Sequence, residues 1–234
     1  VPAEAPPVNP DSPFDQLFEF GSGTELFFEE VIQKCFNNLP PIQGVINRTE
    51  TIVGSDGNEI SLYIHHPEKM DGPLPCIFHI HGGGMVILST TCDNFVRWRN
   101  DLAATGMVVV GVEFRNGAGK LGNHPFPAGL NDCASGLNWI YKNRKDLGVS
   151  QIVVSGESGG GNLSISTTLK AKKRAGLIGF QASLHNVPIY ADCIPTRQPS
   201  LVPFLKMTAT CLMQILWQFW QSFTIRMVRT QGTR

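Results

Sequence analysis

The clearest chemical feature of this sequence is one serine among glycines, Ser158 in the segment GESGG (residues 156–160). An apolar run, QIVVS, precedes the segment, and an amphipathic pattern, NLSISTTLKAKKRAG, follows it. A strand, a sharp turn and a helix are therefore predicted in that order, with glycines keeping Cβ atoms out of the crowded turn. A serine held at such a turn presents its hydroxyl group to a carbonyl carbon, so the segment predicts that Ser158 is a nucleophile.

A second glycine-rich turn, HIHGGGMV (residues 79–86), directly follows another apolar run. Consecutive glycines allow several backbone N–H groups to converge on one point, and converging donors stabilise the negative oxygen that develops during acyl transfer. Taken alone, the turn is also compatible with a flexible loop that has no function. Its position 74 residues before the serine, counted from Gly84 to Ser158, favours an oxyanion site paired with a nucleophile.

The elements that would position these two turns follow an α/β rhythm from residue 73 onwards. Apolar runs typical of buried strands alternate with runs of helical periodicity, and this alternation predicts parallel strands joined by right-handed crossovers. The strands are LPCIFHI, MVVVGVEFR and QIVVS, and the helices are CDNFVRWRNDLAATG, AGLNDCASGLNWIYKNRKDLG and NLSISTTLKAKKRAG.

The first 67 residues have a different organisation. Residues 49–67 alternate apolar and polar positions around Asp56-Gly57, which predicts a β-hairpin. Residues 14–41 predict one or two short amphipathic helices, interrupted at Gly21–Gly23 and ended by two prolines. Residues 1–12 are proline-rich, and we expect them to be mobile.

At these motifs the sequence resembles the hormone-sensitive-lipase branch of the α/β-hydrolase fold. The resemblance extends from about residue 45 to 190 and rests on HGGG (81–84), HPFPAGLNDC (124–133) and GESGGGN (156–162). It implies an α/β-hydrolase core with a mostly parallel central sheet, an N-terminal helical cap and an incomplete C-terminal part. It also implies a carboxylesterase or lipase that hydrolyses short-to-medium acyl esters through a Ser-Asp-His triad, without a cofactor or a metal.

The resemblance assigns roles by position. Ser158 would be the nucleophile, the N–H groups of Gly83, Gly84 and Gly159 would form the oxyanion hole, and His81 would hold the glycine loop without moving protons. The sequence departs from the family pattern at two places, because Gly159 stands where Ala is usual and Glu157 where Asp or Thr is frequent. Neither departure removes a group that the chemistry needs. The division expected is an N-terminal extension with cap helices (1–45), a partial core (46–192) and an atypical tail (193–234).

The acid and the base of the triad are missing from their expected places. In this fold they follow the nucleophile in the order acid, then histidine, each after a later strand. Only His185 and Asp192 follow Ser158, and their order is reversed. The earlier histidines His65, His66, His79 and His124 are more simply interpreted as strand or loop residues. We therefore expect this chain to be impaired as an esterase.

The last 42 residues differ in composition from the rest. Residues 1–192 contain all 19 acids and 14 of the 19 Lys and Arg residues, a charge of −5, whereas residues 193–234 carry +5. Lys206 and three glutamines interrupt the apolar part of this tail, which disfavours a transmembrane segment. From Leu205 onwards the standard genetic code permits, in a shifted frame, a sequence of ordinary charge. Our hypothesis is that the tail is translated out of frame.

Composition restricts the function classes further. A formal net charge of zero gives no electrostatic argument for nucleic acid binding, and the opening VPAEAPPVNP lacks an apolar targeting core, which favours a cytoplasmic location. The six cysteines form no C-x-x-C pair, so buried reduced thiols are favoured over disulfides or zinc.

Three functions remain open: a serine esterase acting on a small-molecule ester, a non-catalytic ligand-binding protein on a hydrolase fold, and an inactive truncated product. The sequence does not predict the oligomeric state.

Overall fold

A sheet of six strands organises the part of the chain that the computed structural model describes, which is Val8 and residues 12–36, 38–175 and 181–182. The strand order across the sheet is β1-β2-β4-β3-β5-β6. The elements, in chain order, are α1 (Phe14–Phe36), β1 (Val45–Val53), β2 (Glu59–Pro67), β3 (Leu74–Ile80), α2 (Asp93–Ala104), β4 (Val108–Val112), a 3₁₀ turn (Gly119–Leu121), α3 (Ala128–Lys142), β5 (Val149–Gly156), α4 (Gly159–Ala175) and β6 (Gln181–Ala182).

Strand directions confirm the predicted mostly parallel α/β sheet. β1 and β2 form the predicted antiparallel hairpin, in which Gly57 occupies the left-handed region at φ +82°, and β2 also pairs antiparallel with β4. The pairs β4–β3, β3–β5 and β5–β6 are all parallel. Each strand and helix predicted for the α/β part is present. Continuous apolar strands are buried on both faces of a parallel sheet, and helices cover those faces.

The two faces of β3 contact different helices. Cys76, Phe78 and Ile80 join the main core cluster, to which α3 contributes Cys133, Leu137 and Ile140. His79 points to the opposite face, where its ring lies 4.6 Å from the ring of Trp98 on α2, measured between centroids. A histidine in an otherwise apolar strand therefore lies beneath α2, on the side of the sheet away from the main core.

Helix α1 is one continuous helix of 23 residues, so the interruption expected at Gly21–Gly23 is wrong. Gly21 is buried, and a Cβ atom built there would approach the Cβ of Ala118 to 3.1 Å. The glycine therefore permits close packing against the 118–121 region, and this packing offsets its low helix propensity. α1 packs on a second apolar cluster formed by Leu17, Val86, Ile87, Leu88, Phe95 and Ala118.

Several predictions fall outside the described residues. They concern most of the proline-rich start, His185, Asp192 and the tail at 193–234.

The four described cysteines are free. Cys76 and Cys133 are buried, and burial raises the pKa of Cys76 to about 12. No helix in the described part of the chain is both long and apolar enough to cross a membrane.

Candidate active site

Ser158 occupies a sharp turn between β5 and α4, as the sequence predicts. β5 ends at Gly156, α4 begins at Gly159, and Ser158 has φ +53°, a left-handed conformation that residues with a Cβ adopt at an energetic cost. A Cβ atom at Gly156 would lie 2.4 Å from the carbonyl oxygen of Gly160. At Gly160 it would lie 2.0 Å from the carbonyl oxygen of Ile80. Glycine is therefore required at both ends of this elbow, defined as residues 156–160.

The glycine loop, residues 82–85, lies directly against the elbow. Gly83 and Gly84 have φ +106° and +67°, and within the described residues their N–H groups donate no hydrogen bond. A Cβ atom at Gly159 would lie 2.8 Å from the Cα of Gly84, and one at Gly82 would lie 3.7 Å from the Cβ of Ser158. Unpaired amides on a loop in contact with the serine are available to a developing oxyanion. The glycine at position 159 allows this close approach.

His81, which directly precedes the glycine loop, is completely buried. Its Nδ1 lies 2.6 Å from the carbonyl oxygen of Gly82, and its ring stacks on Phe114 with centroids 4.3 Å apart. Burial lowers the pKa of His81 to about 3, so the ring is neutral at physiological pH. Because its Nδ1 must donate to the Gly82 carbonyl, its Nε2 carries a lone pair, and that atom has no hydrogen-bond partner among the described residues.

Glu157, the residue before the nucleophile, connects the elbow to the glycine loop. Its Oε1 accepts a hydrogen bond from the N–H of Gly82 at 3.1 Å, and its Oε2 lies 3.0 Å from Nε2 of His79. Burial alone would raise the pKa of Glu157, but its interaction with His79 and the hydrogen bond from the Gly82 amide together lower it. The carboxylate is therefore ionised at neutral pH.

A fully buried arginine, Arg99 of α2, lies behind His79. Its Nε donates to Nε2 of His65 at 2.9 Å, and one terminal nitrogen lies 3.3 Å from Nδ1 of His79. The same guanidinium donates to the hydroxyl and carbonyl oxygens of Thr90 at 3.2 and 2.6 Å. Burial lowers the pKa of Arg99 to about 10, which leaves it charged at neutral pH. A polar network thus runs from α2 to the glycine loop.

None of the described histidines hydrogen-bonds to the Ser158 hydroxyl. Both ring nitrogens of His65 and His79 are occupied, by Asn100 and Arg99 in one case and by Arg99 and Glu157 in the other. His66 bonds the carbonyl of Pro67. These contacts agree with the interpretation of His65, His66 and His79 as structural residues. His185, the histidine that follows Ser158 in the sequence, lies outside the described part.

Helix α1, the expected cap, is fastened beside the glycine loop by a buried carboxylate. Glu25 is 2% exposed, and its two oxygens accept hydrogen bonds from the N–H groups of Leu88 and Lys120, each at 2.7 Å. A Cβ atom at Gly119 would lie 2.4 Å from Oε2 of Glu25, so glycine is needed there. The N-terminal helix therefore forms a fixed wall next to the segment that follows the glycine loop.

Sequence reasoning did not identify Glu157, His79, Arg99 or Glu25 as parts of the site. A signal existed for His79, because a polar residue inside an apolar strand needs a buried partner. No local pattern distinguished Arg99 or Glu25 from ordinary charged residues on helices. Within the described residues, no group of three or more His, Cys, Asp or Glu side chains is placed to hold a metal ion.

Comparisons with known proteins agree with this geometry. Tuliposide A-converting enzyme b1, amyloplastic, from Tulipa gesneriana is 29% identical over 188 residues, covering 74% of this chain and 46% of that protein. Carboxylesterase NlhH from Mycobacterium tuberculosis is 33% identical over 118 residues, covering 49% of this chain and 35% of that protein. This chain therefore spans less than half the length of these two relatives.

A solved structure shows the same architecture. Brefeldin A esterase, described as a bacterial homologue of human hormone sensitive lipase, superposes with a TM-score of 0.69 at 44% sequence identity, covering 75% of this chain and 49% of that one. Residues 77–230 match the sequence family defined by the alpha/beta hydrolase fold, and this match includes both the glycine loop and the elbow. The resemblance drawn from the motifs is confirmed: the chain belongs to the alpha/beta hydrolase fold family.

Proposed function

We propose that the chain is a serine carboxylic-ester hydrolase of the esterase and lipase type, with Ser158 as its nucleophile. The observation that carries the proposal is the left-handed Ser158 at the end of β5, in contact with a glycine loop whose amides are unpaired within the described residues. The names of the relatives, a carboxylesterase and an esterase among them, support an ester as substrate. The reaction requires no cofactor.

In the proposed reaction, the Ser158 oxygen attacks the ester carbonyl carbon and loses its proton to a base. The electron pair of the carbonyl bond moves to oxygen, and the N–H groups of Gly83, Gly84 and Gly159 stabilise that oxyanion. Collapse of the intermediate breaks the bond to the alcohol, which leaves with a proton, and an acyl ester remains on Ser158. Water then attacks this ester and releases the carboxylic acid.

Turnover by this chain is expected to be weak. The only histidine and the only acid after the nucleophile, His185 and Asp192, stand in the order opposite to that of the family. Hydrolysis that depends on Ser158 then requires water or another side chain to accept the serine proton, while the oxyanion hole still stabilises the intermediate. We therefore propose slow hydrolysis that depends on Ser158, supported by the described oxyanion loop.

The test is hydrolysis of p-nitrophenyl butyrate by the full chain, with two serine variants. Ser158→Ala should reduce the rate to the level of the buffer. Ser150→Ala should leave it unchanged, because Ser150 is exposed at the far end of the same strand. Equal rates for the wild-type chain and Ser158→Ala would contradict the proposal.

A non-catalytic ligand-binding protein is the second candidate function. It is favoured by one observation, that no described histidine contacts the Ser158 hydroxyl. Binding of the ester, detected by calorimetry, together with no Ser158-dependent release of p-nitrophenol would support this candidate over the first.

A further inference from the structure

We infer that Glu157 is a positioning residue for the glycine loop. Arg99 fixes the proton position on His79, and as a result Glu157 must accept hydrogen bonds with both of its side-chain oxygens. The inference deepens the proposed function, since it concerns how the oxyanion donors are held at Ser158. It follows from the direction in which each hydrogen bond of the buried network must point.

The direction is fixed first at Arg99, because a guanidinium group has five N–H donors and no acceptor. The fully buried group packs against β4 at Gly111, where a Cβ atom would lie 2.9 Å from Cζ of Arg99. Arg99 Nε donates to Nε2 of His65, so His65 carries its proton on Nδ1 and donates it to Oδ1 of Asn100 at 2.7 Å. Arg99 thus sets the tautomer of one histidine.

The same reasoning determines the tautomer of His79. Its Nδ1 faces a terminal nitrogen of Arg99 at 3.3 Å and must accept there. Since Nδ1 is an acceptor, the ring proton is on Nε2, which lies 3.0 Å from Oε2 of Glu157. The His79 ring is 1% exposed and has no alternative partner at Nε2 within the described residues.

Two donors consequently meet at the side chain of residue 157. Nε2–H of His79 reaches one oxygen, and the N–H of Gly82 reaches the other at 3.1 Å. A carboxylate satisfies both donors, whereas a glutamine supplies one accepting oxygen and one NH₂ group, which would face a donor at either end. At this position Glu and Gln are therefore not equivalent, although they have nearly the same shape.

The consequence for the site is that Gly82 is held at both of its backbone polar groups. Glu157 accepts from its N–H, and Nδ1 of His81 donates to its carbonyl oxygen at 2.6 Å. The next two residues, Gly83 and Gly84, carry the amides that are unpaired within the described part of the chain. Loss of one of these two contacts frees the loop to move by fractions of an ångström, and oxyanion stabilisation depends on donor positions at that scale.

The first experiment needs no variant. Ring ¹⁵N chemical shifts of His79 in the full wild-type chain should show a protonated Nε2 and an unprotonated Nδ1 at pH 7 to 8. A protonated Nδ1, alone or in a doubly protonated ring, would overturn the inference. Because this measurement does not depend on turnover, it remains decisive if the chain proves not to be an esterase.

The second experiment compares Glu157→Gln with Glu29→Gln. Glu29 is the control because its carboxylate lies on α1 and pairs with Lys120, with no hydrogen bond to His79 or Gly82 among the described residues. Glu157→Gln should slow modification of Ser158 by a fluorophosphonate probe about tenfold and shift the His79 ring signals. Glu29→Gln should leave the modification rate within about twofold and the His79 tautomer unchanged.

Glu157→Asp provides the conservative comparison, since it is shorter but keeps two accepting oxygens. It should retain the wild-type tautomer of His79 and a modification rate above that of Glu157→Gln. Equal rates for the wild-type chain and Glu157→Gln, with unchanged His79 shifts, would overturn the inference. If the wild-type chain is not modified at all, the proposed function fails, and the His79 shifts in the wild-type and Glu157→Gln chains still decide the inference.

Discussion

Replacement of Gly160 by alanine tests the elbow geometry with a single methyl group. A Cβ atom at this position would lie 2.0 Å from the carbonyl oxygen of Ile80 and 2.5 Å from that of His81. Both contacts are with backbone atoms, so no side-chain rotation relieves them. Because carbon and oxygen atoms rarely approach closer than about 3.3 Å, the elbow or the end of β3 must move by about 1.3 Å.

The expected cost follows from this displacement. Overpacking a well-packed site costs about 1–3 kcal/mol and occasionally more, and a clash with two backbone carbonyl groups lies at about 3–4 kcal/mol; the helix propensity of alanine returns at most about 1 kcal/mol. We expect the free energy of unfolding of Gly160→Ala to be lower by about 2–3 kcal/mol. For a chain of this size that loss lowers the melting temperature by roughly 4–12 °C.

Thermal unfolding followed by circular dichroism measures this effect, with Gly23→Ala as the control. Gly23 lies within α1, and a Cβ atom built there meets no atom within 4 Å. Gly23→Ala should therefore stabilise the chain by about 0.5–1 kcal/mol. A melting temperature of Gly160→Ala equal to or above that of the wild-type chain would refute the close approach of the elbow to β3.

Two further predictions concern the anchoring of α1 and the pH dependence of stability. Glu25→Gln leaves one of two buried N–H donors without an acceptor, so it should lower the free energy of unfolding in urea by about 1–3 kcal/mol. The control Glu29→Gln loses a partly exposed ion pair with Lys120 and should lower it by less than about 1 kcal/mol. Equal losses for the two variants would contradict the anchoring role of Glu25. Burial lowers the pKa of His65 to about 4 and of His81 to about 3, so the unfolded chain binds more protons than the folded chain at pH 5. The free energy of unfolding, measured by urea denaturation, should therefore be about 2–4 kcal/mol lower at pH 5 than at pH 7. An unchanged or higher free energy of unfolding at pH 5 would contradict this prediction.

The sequence predicts the framework of this protein well because the framework depends on local patterns. Continuous apolar strands such as LPCIFHI alternate with amphipathic helices, and that alternation is sufficient to predict a parallel sheet. The elbow is recognisable because glycines at 156 and 160 are imposed by contacts closer than 3 Å. The hairpin at Asp56-Gly57 is likewise a local feature, fixed by turn conformation.

Contacts between distant polar residues could not be predicted in the same way. Arg99 and His79 are 20 positions apart, and His79 and Glu157 are 78 apart. No periodicity or spacing indicates that these residues meet in one network. The continuous helix α1 was missed for a related reason, because the packing of Gly21 against Ala118 is a tertiary contact that offsets a local helix-breaking signal.

The central claim is that the elbow presents Ser158 as a nucleophile to the glycine loop. The most direct test is to incubate the full chain with a fluorophosphonate and locate the adduct by peptide mass spectrometry. We predict one covalent adduct on Ser158, formed slowly and absent from Ser158→Ala. An adduct on another residue, or no adduct on a chain shown to be folded, would contradict the claim.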